Sequence, residues 1–253
     1  MPTILDLKLC LPENQRLYQS AGSVLHGVLM ELIDTRYAEE LHQSRQRPFS
    51  QYICFDKDSN SFLWRVAALN AQAEQELLAP LMKAPSTFFL KQKNLTVEIK
   101  ERVVNKALSY DELAEGFFMA EKLPHCIDFR FVTSATFKSG GKYLLYPEPF
   151  YIFQNLLNRW NLFAGDLLLQ EADLCNKLVD TVKIGGYNLS LHPYSVDGAV
   201  VDAFRGSYRL LLTGNPMISR IICLLCAYAE FSGIGIKTAL GMGGVTVEFS
   251  QYR

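Results

Sequence analysis

The feature that most constrains this chain is an order of elements that occurs twice. Residues 3–10 (Thr-Ile-Leu-Asp-Leu-Lys-Leu-Cys) alternate apolar and polar, the period of a half-buried strand. A helix is predicted from about Ala21 to His42, with Leu25, Val28, Leu29, Leu32 and Ile33 recurring at three and four residues. Tyr52–Phe55 and Phe62–Val66 flank the turn-forming Asp56-Lys-Asp-Ser-Asn and read as a hairpin. A helix over 71–83 and a strand from Leu95 toward Val104 complete a strand–helix–hairpin–helix–strand series.

The second half repeats it. Ile127–Phe137 alternates as a strand, and Phe150, Phe153, Leu157 and Trp160 mark a helix. An additional helix is expected over 166–182. Strands follow near Tyr187–Leu191 and Ser207–Thr213. Pro216, suited to a first helical turn, opens an apolar helix to Phe231, and Gly243–Ser250 closes the chain as a strand. The expected fold class is therefore α+β, two tandem ferredoxin-like (RRM-like) βαββαβ domains over 1–123 and 124–253, joined near Lys122-Leu-Pro-His. Such a fold leaves the chemistry open.

Composition narrows the classes. With 49% hydrophobic and 20% charged residues the chain can bury an ordinary core. No apolar run approaches the ~18 residues of a membrane span, and the N-terminus has no secretory pattern, so a cytoplasmic protein is expected. The net charge of −1 gives no global field for nucleic acid, and any phosphate binding must come from local clusters. Cys223 and Cys226 lie in an apolar helical run with no second pair, and the six cysteines are expected to be free and mostly buried.

The segment from Phe231 to Val245 carries five glycines between positions 233 and 244, spaced as Gly233-x-Gly235, five residues, then Gly241-x-Gly243. Glycines there allow positive φ and close approach, so successive N–H groups could cradle phosphate, with Lys237 and Thr238 adding a cation and a hydroxyl. A tight helix-to-strand connection explains the same glycines. A P-loop is excluded because Lys237 follows Ile236 and the loop follows a helix. A dinucleotide fingerprint is excluded because position 238 is Thr.

Of the four histidines, His42 falls at the end of the first helix, before Arg45 and Arg47. A helix C-terminus favours positive charge, which suits a general acid, and the arginines could hold a phosphate. A solvent-exposed capping histidine is the alternative. His26 lies sixteen residues earlier, about 160° away on one ideal helix, so the two share a ridge only if the helix bends or ends between them. His125 and His192 are assigned to structure. No metal or other cofactor is expected. Lys138 and Lys142 flank Gly140-Gly141 at a predicted hairpin tip, and Arg205 and Arg209 add a further basic set.

The spacing Gly-x-Gly-x5-Gly-x-Gly before the last strand resembles the signature of the Cas6 family of CRISPR-associated endoribonucleases. Leu25-His-Gly-Val-Leu with Glu40-Leu-His-Gln, Tyr146-Pro-Glu-Pro before a helix ending Asn158-Arg-Trp-Asn, and Phe204-Arg-Gly-Ser-Tyr are similar to other segments of that family. Ala203 replaces the first glycine of the last one. The resemblance implies a metal-independent endoribonuclease that binds CRISPR repeat RNA and cuts precursor transcripts into guide RNAs, leaving 2′,3′-cyclic phosphate and 5′-hydroxyl ends. It implies His42 as catalytic, with nearby basic residues, Arg47 among them, assisting. His26 is a candidate second acid/base or RNA contact, with a buried, hydrogen-bonded histidine as the equal alternative. Some members place a tyrosine on the first helix. The aligned position here is Met30, and Tyr37, the nearest tyrosine, is the catalytic candidate in its place, with an exposed helix residue as the equal alternative. The RNA-binding set would be Arg45, Lys138, Lys142, Arg205, Gly233, Gly235, Lys237, Thr238, Gly241 and Gly243. The alternatives are a non-catalytic RNA-binding subunit of a CRISPR effector assembly and a ferredoxin-like small-molecule or metal-binding domain. The partner would be repeat RNA, with an effector complex as a further partner, no membrane, and a monomeric or homodimeric state.

Overall fold

In a computed structural model, which describes residues 1–57, 59–196 and 198–251, the chain forms two antiparallel sheets. The first is built from β1 (Thr3–Cys10), β2 (Phe49–Asp56), β3 (Ser61–Ala68), β4 (Thr87–Leu90) and β5 (Leu95–Ala107), in the spatial order β2-β3-β1-β5-β4. The second uses β6 (Cys126–Ala135), β9 (Val182–Leu191), β12 (Phe204–Leu212) and β13 (Val245–Ser250), in the order β13-β6-β12-β9. Leaving aside edge strand β4, both sheets place their fourth strand beside the first and their third between first and second. This is the ferredoxin-like arrangement, present twice. Two small hairpins, β7 (Phe137–Ser139) with β8 (Lys142–Leu144) and β10 (Tyr194–Val196) with β11 (Ala199–Val201), project from the second half.

Alternation decides which faces are covered. In the second sheet Val247, Phe129 and Tyr208 stand opposite one another and Phe129 and Tyr208 are buried, whereas Thr246, Arg130, Ser207 and Asn188 form the neighbouring row on the other face. The buried face packs on α6 (Pro149–Phe163) and on α8 (Pro216–Ser232), whose Cys223 and Cys226 are buried and free. In the first sheet Leu5, Leu7 and Leu9 of β1 pack on α1 (Ala21–Leu32) with Leu25 and Leu29, around a fully buried Trp64.

Three expectations are corrected. The predicted helix from Ala21 to His42 is two helices, α1 and α2 (Thr35–Gln43). Ile33 is extended, and the Asp34 carboxylate accepts the Arg36 N–H at 2.9 Å, so a new N-cap starts inside what reads as one apolar periodicity. The helix expected over 166–182 shrinks to α7 (Leu174–Asp180). Gly165 and Asp173 hold positive φ, and Asn161 captures both backbone groups of Leu169, which removes the preceding segment from a helical ladder. The helix over 71–83 is composite: α3 (Ala71–Ala73), a π-helical turn Glu74–Leu78, then α4 (Ala79–Lys83). Asp58, in the predicted turn of the first hairpin, lies outside the described residues.

A helix that periodicity did not suggest, α5 (Tyr110–Phe118), is opened by a reciprocal capping box between Ser109 and Glu112. It packs into the core of the second half, where Tyr110 meets Trp160 edge-on at 4.9 Å. No helix among the described residues is long and apolar enough to cross a membrane.

Candidate active site and its glycine-rich support

The break between α1 and α2 bears directly on the histidines. The 160° separation held only for a continuous helix, and with the chain redirected at Asp34 His26 and His42 come into electrostatic reach of each other. His26 is buried, stacks on Phe49 with ring centroids 5.9 Å apart at 11°, and has an Nδ1 with no hydrogen-bond partner. Its pKa is lowered to about 4, first by burial and then by the nearby positive charges of Arg47 and His42. At neutral pH His26 is therefore an uncharged imidazole. His42 is exposed in the last turn of α2. Arg47 is half-buried, and its Nε donates to the carbonyl of Leu41 at 3.3 Å, one residue before His42. Arg45 is exposed nearby.

Tyr37 belongs elsewhere. It is only 5% exposed and packs in the first core with Leu41 and Ile33, its hydroxyl without a partner. Burial, together with Glu76 and Glu40, raises its pKa to about 12. Among those carboxylates, it is neither the exposed helix residue the sequence suggested nor a member of the His26–His42–Arg47 group.

The glycine-rich loop departs from the expected phosphate cradle. Many of its N–H groups are already committed: Gly233 to Ala229 at 2.8 Å, Ile234 to Gly243 at 2.9 Å, Ile236 to Thr136 at 3.0 Å and Gly243 to Ser134 at 2.9 Å. Gly235 donates to the side-chain oxygen of Asn155 at 2.9 Å. Gly233, Gly235 and Gly243 are buried, so none of the three presents a donor to a ligand. Positive φ values and close packing explain the glycines instead. At Gly235 (φ +95°) a Cβ would stand 2.4 Å from the Thr136 carbonyl oxygen, and at Gly243 (φ +68°) 2.1 Å from that of Ile234. Gly241 is buried against α1. Thr238 is also buried, and its hydroxyl accepts from Arg159 at 3.1 Å. Lys237 keeps an exposed side chain and is the loop's one cation.

What the loop does is hold the two halves together around α1. Gln51 of β2 donates to the carbonyls of Gly22 (2.7 Å) and Ala239 (3.0 Å), and its own oxygen is fixed by the Trp64 indole N–H at 2.7 Å. The Tyr194 hydroxyl lies within hydrogen-bond distance of both the Gln19 and Leu240 carbonyls. Asn155, Arg159 and Gln51 were not singled out from sequence. Their signal is a polar side chain on an otherwise apolar face, which is visible for Asn155 and Arg159 one turn apart among Phe153, Leu156 and Trp160.

The other basic candidates sit apart from the histidines. Arg205 lines an open groove of about 560 Å³ with Arg130, Asn188, Ser190 and His192 on the uncovered face of the second sheet. His192 is tied in by Gln19, whose amide nitrogen lies 2.7 Å from its Nδ1 while the amide oxygen accepts the Ser134 N–H at 2.8 Å. The oxygen's role fixes the amide orientation, so the nitrogen must donate to Nδ1 and the His192 hydrogen is on Nε2. Arg209 is held by Asp128 through two hydrogen bonds, at 2.6 and 3.0 Å. Lys138 and Lys142 lie at the tip of the β7–β8 hairpin, both exposed, Lys138 over the Tyr143 ring at 5.9 Å. No group of three or more His, Cys, Asp or Glu residues that could hold a metal occurs among the described residues.

These features define a tandem ferredoxin-like protein with an imidazole–guanidinium cluster beside its first helix pair. Residues 129–245 match the family model for the CRISPR-associated endoribonuclease Cas6. The CRISPR-associated endoribonuclease Cas6 of Mycobacterium tuberculosis (strain CDC 1551 / Oshkosh) is 28% identical over 96% of this chain and 77% of its own length. That of Streptococcus thermophilus is 29% identical over 91% of this chain and 92% of its own. Among solved structures, a Cas6 product complex superposes with a TM-score of 0.78 at 23% identity, covering 98% of this chain and 100% of that one. Cas6 of Thermus thermophilus gives 0.74 at 22% identity, with 98% of each chain covered. The chain is thus similar to Cas6 endoribonucleases over nearly its whole length, and to the family model over residues 129–245.

Proposed function

We propose that this protein is an endoribonuclease that binds CRISPR repeat RNA and cleaves precursor transcripts within it. The observation that carries the reading is the group formed by His26, His42 and Arg47, in which a buried neutral imidazole, an exposed imidazole and a guanidinium influence one another. The names of the curated relatives, CRISPR-associated endoribonucleases, support both the activity and RNA as its substrate class.

Cleavage by this group is an internal transesterification. The ribose 2′-oxygen attacks the adjacent phosphorus, the bond to the 5′-oxygen breaks, and the products are a 2′,3′-cyclic phosphate and a 5′-hydroxyl. One proton leaves the 2′-hydroxyl and one arrives on the 5′-oxygen. His26, uncharged at neutral pH, accepts the first. Its proton affinity is depressed by burial and then by Arg47 and His42, and a phosphate beside it offsets the charge part of that depression. His42, at the carbonyl end of α2, delivers the second. Arg47, with Arg45 at the rim, neutralises charge on the phosphorane-like transition state. Both proton transfers and the charge neutralisation are thus assigned to side chains. Lys237, Arg205, Lys138 and Lys142 supply grip along the flanking RNA, and a stem would be gripped through its phosphates and A-form shape.

The test is cleavage of repeat RNA by wild-type protein and by His42→Ala, with binding measured in parallel. Loss of cutting by a factor of about 10²–10⁴ with binding retained is expected. If wild-type protein binds repeat RNA but never cuts it, the non-catalytic subunit replaces this reading.

A further inference from the structure

Arg159 is the most unusual charged residue in the molecule. It is 6% exposed, it lies on the apolar face of α6, and no carboxylate among the described residues offsets it. Its electrostatic neighbours are the hydroxyls of Tyr228 and Tyr110, and burial lowers its pKa. Its Nε is buried without a hydrogen-bond partner. A buried cation with an unsatisfied donor is costly and calls for a reason beyond packing.

Its two terminal nitrogens point to that reason. Nη1 donates to the Thr238 hydroxyl at 3.1 Å, in the 3-10 turn Thr238–Leu240 of the glycine-rich loop. Nη2 reaches the carbonyl oxygen of Arg47 at 3.5 Å. Arg47 in turn donates from Nε to the Leu41 carbonyl, next to His42. A continuous line of contacts therefore runs from the loop, through one guanidinium, to the residues beside both histidines. A lysine could not span it, because two diverging acceptors require the planar fork.

We propose that Arg159 is a positioning residue, a buried strut that ties the glycine-rich loop to the Arg47 segment and so holds the Arg47 guanidinium beside His26 and His42. The inference rests on the cleavage reading above for its consequence, but not for its geometry. It gives the loop a part in the reaction that its committed N–H groups cannot play directly. The loop sets where a cation stands and, Lys237 apart, leaves phosphate contact to others.

Thr238→Val removes the acceptor while keeping shape, and Arg159→Lys keeps charge while removing the fork. Each is measured for single-turnover cleavage at saturating repeat RNA, for RNA affinity, for thermal midpoint, and for the NMR titration midpoint of His26. Thr238→Val is expected to cut about tenfold more slowly, with RNA affinity within about twofold, since small displacements of a catalytic cation are costly. The His26 midpoint should rise, because Arg47 no longer stands where it opposes protonation. A role confined to packing would lower the thermal midpoint and leave both the folded protein's cutting rate and the His26 midpoint unchanged, and that pattern in both variants overturns the proposal. If wild-type protein does not cut at all, the cleavage reading fails, and the His26 midpoint alone decides the strut.

Discussion

Gly241 of the glycine-rich loop lies directly against Gly22 of α1, so closely that a Cβ on Gly241 would stand 2.8 Å from the Gly22 Cα and 2.5 Å from the Tyr194 hydroxyl. This contact joins the C-terminal half to the first turn of the helix that carries His26. The loop thereby acts on the candidate active site through packing as well as through Arg159.

Gly241→Ala should consequently damage both stability and cutting. The position holds φ at +100°, and the added methyl has no free space. A loss of about 3 kcal/mol, from backbone strain plus overpacking, is expected in denaturant unfolding. The cleavage rate of the remaining folded protein should also fall. Gly140→Ala, at a hairpin tip with φ +55° but nothing within 4 Å, should leave the cutting rate unchanged and lose only about 1 kcal/mol.

Stability should depend on pH through His26. Its folded pKa, about 4, lies below the ordinary value of 6.5, so the unfolded chain takes up a proton more readily. The penalty is absent above about pH 6.5, grows as pH falls, and levels off below about pH 4, reaching about 3 kcal/mol. In urea unfolding at pH 7.5 and pH 5, His26→Gln should show a weaker decline toward pH 5 than wild type.

Tyr37→Phe separates the buried tyrosine from the reaction. Because its hydroxyl is buried and unpartnered, its removal should be neutral or stabilise by about 1 kcal/mol, with repeat-RNA cutting unchanged. A large fall in rate would return Tyr37 to the active site.

The grip on RNA should be electrostatic and divided. Arg205→Ala and Lys237→Ala should each weaken RNA binding several-fold at moderate salt and reduce the slope of log affinity against log salt by about 0.7 to 0.9 per lost phosphate contact. An unchanged slope in either variant would remove that residue from the RNA path.

Much of this architecture is legible in the sequence because strand alternation is local. Leu5, Leu7 and Leu9, or Phe129 and Phe131, announce their buried faces without reference to the rest of the chain. The break at Asp34 was hidden because Leu32, Ile33, Tyr37 and Leu41 keep an apolar rhythm across it, and one short Asp–Thr cap outweighs that rhythm. Ser109-x-x-Glu112 was a readable cap that marks α5. The glycines were also readable, but their purpose was not. Whether an N–H faces a phosphate or a neighbour depends on Ser134, Thr136 and Asn155, all far away in sequence. Likewise, the closeness of His26 and His42 depends on the break at Ile33 and Asp34, which one continuous helix cannot supply.

The central claim is that side chains near His42 activate a ribose 2′-oxygen. It is tested most directly by offering wild-type protein prefolded repeat RNA in excess EDTA, both unmodified and with a single 2′-deoxy nucleotide 5′ of the scissile phosphate. The account predicts that unmodified RNA is cut to 2′,3′-cyclic phosphate and 5′-hydroxyl ends, while the deoxy RNA binds equally well and stays intact. Cutting of the deoxy RNA, or cutting that starts only when a divalent metal is restored, would contradict it.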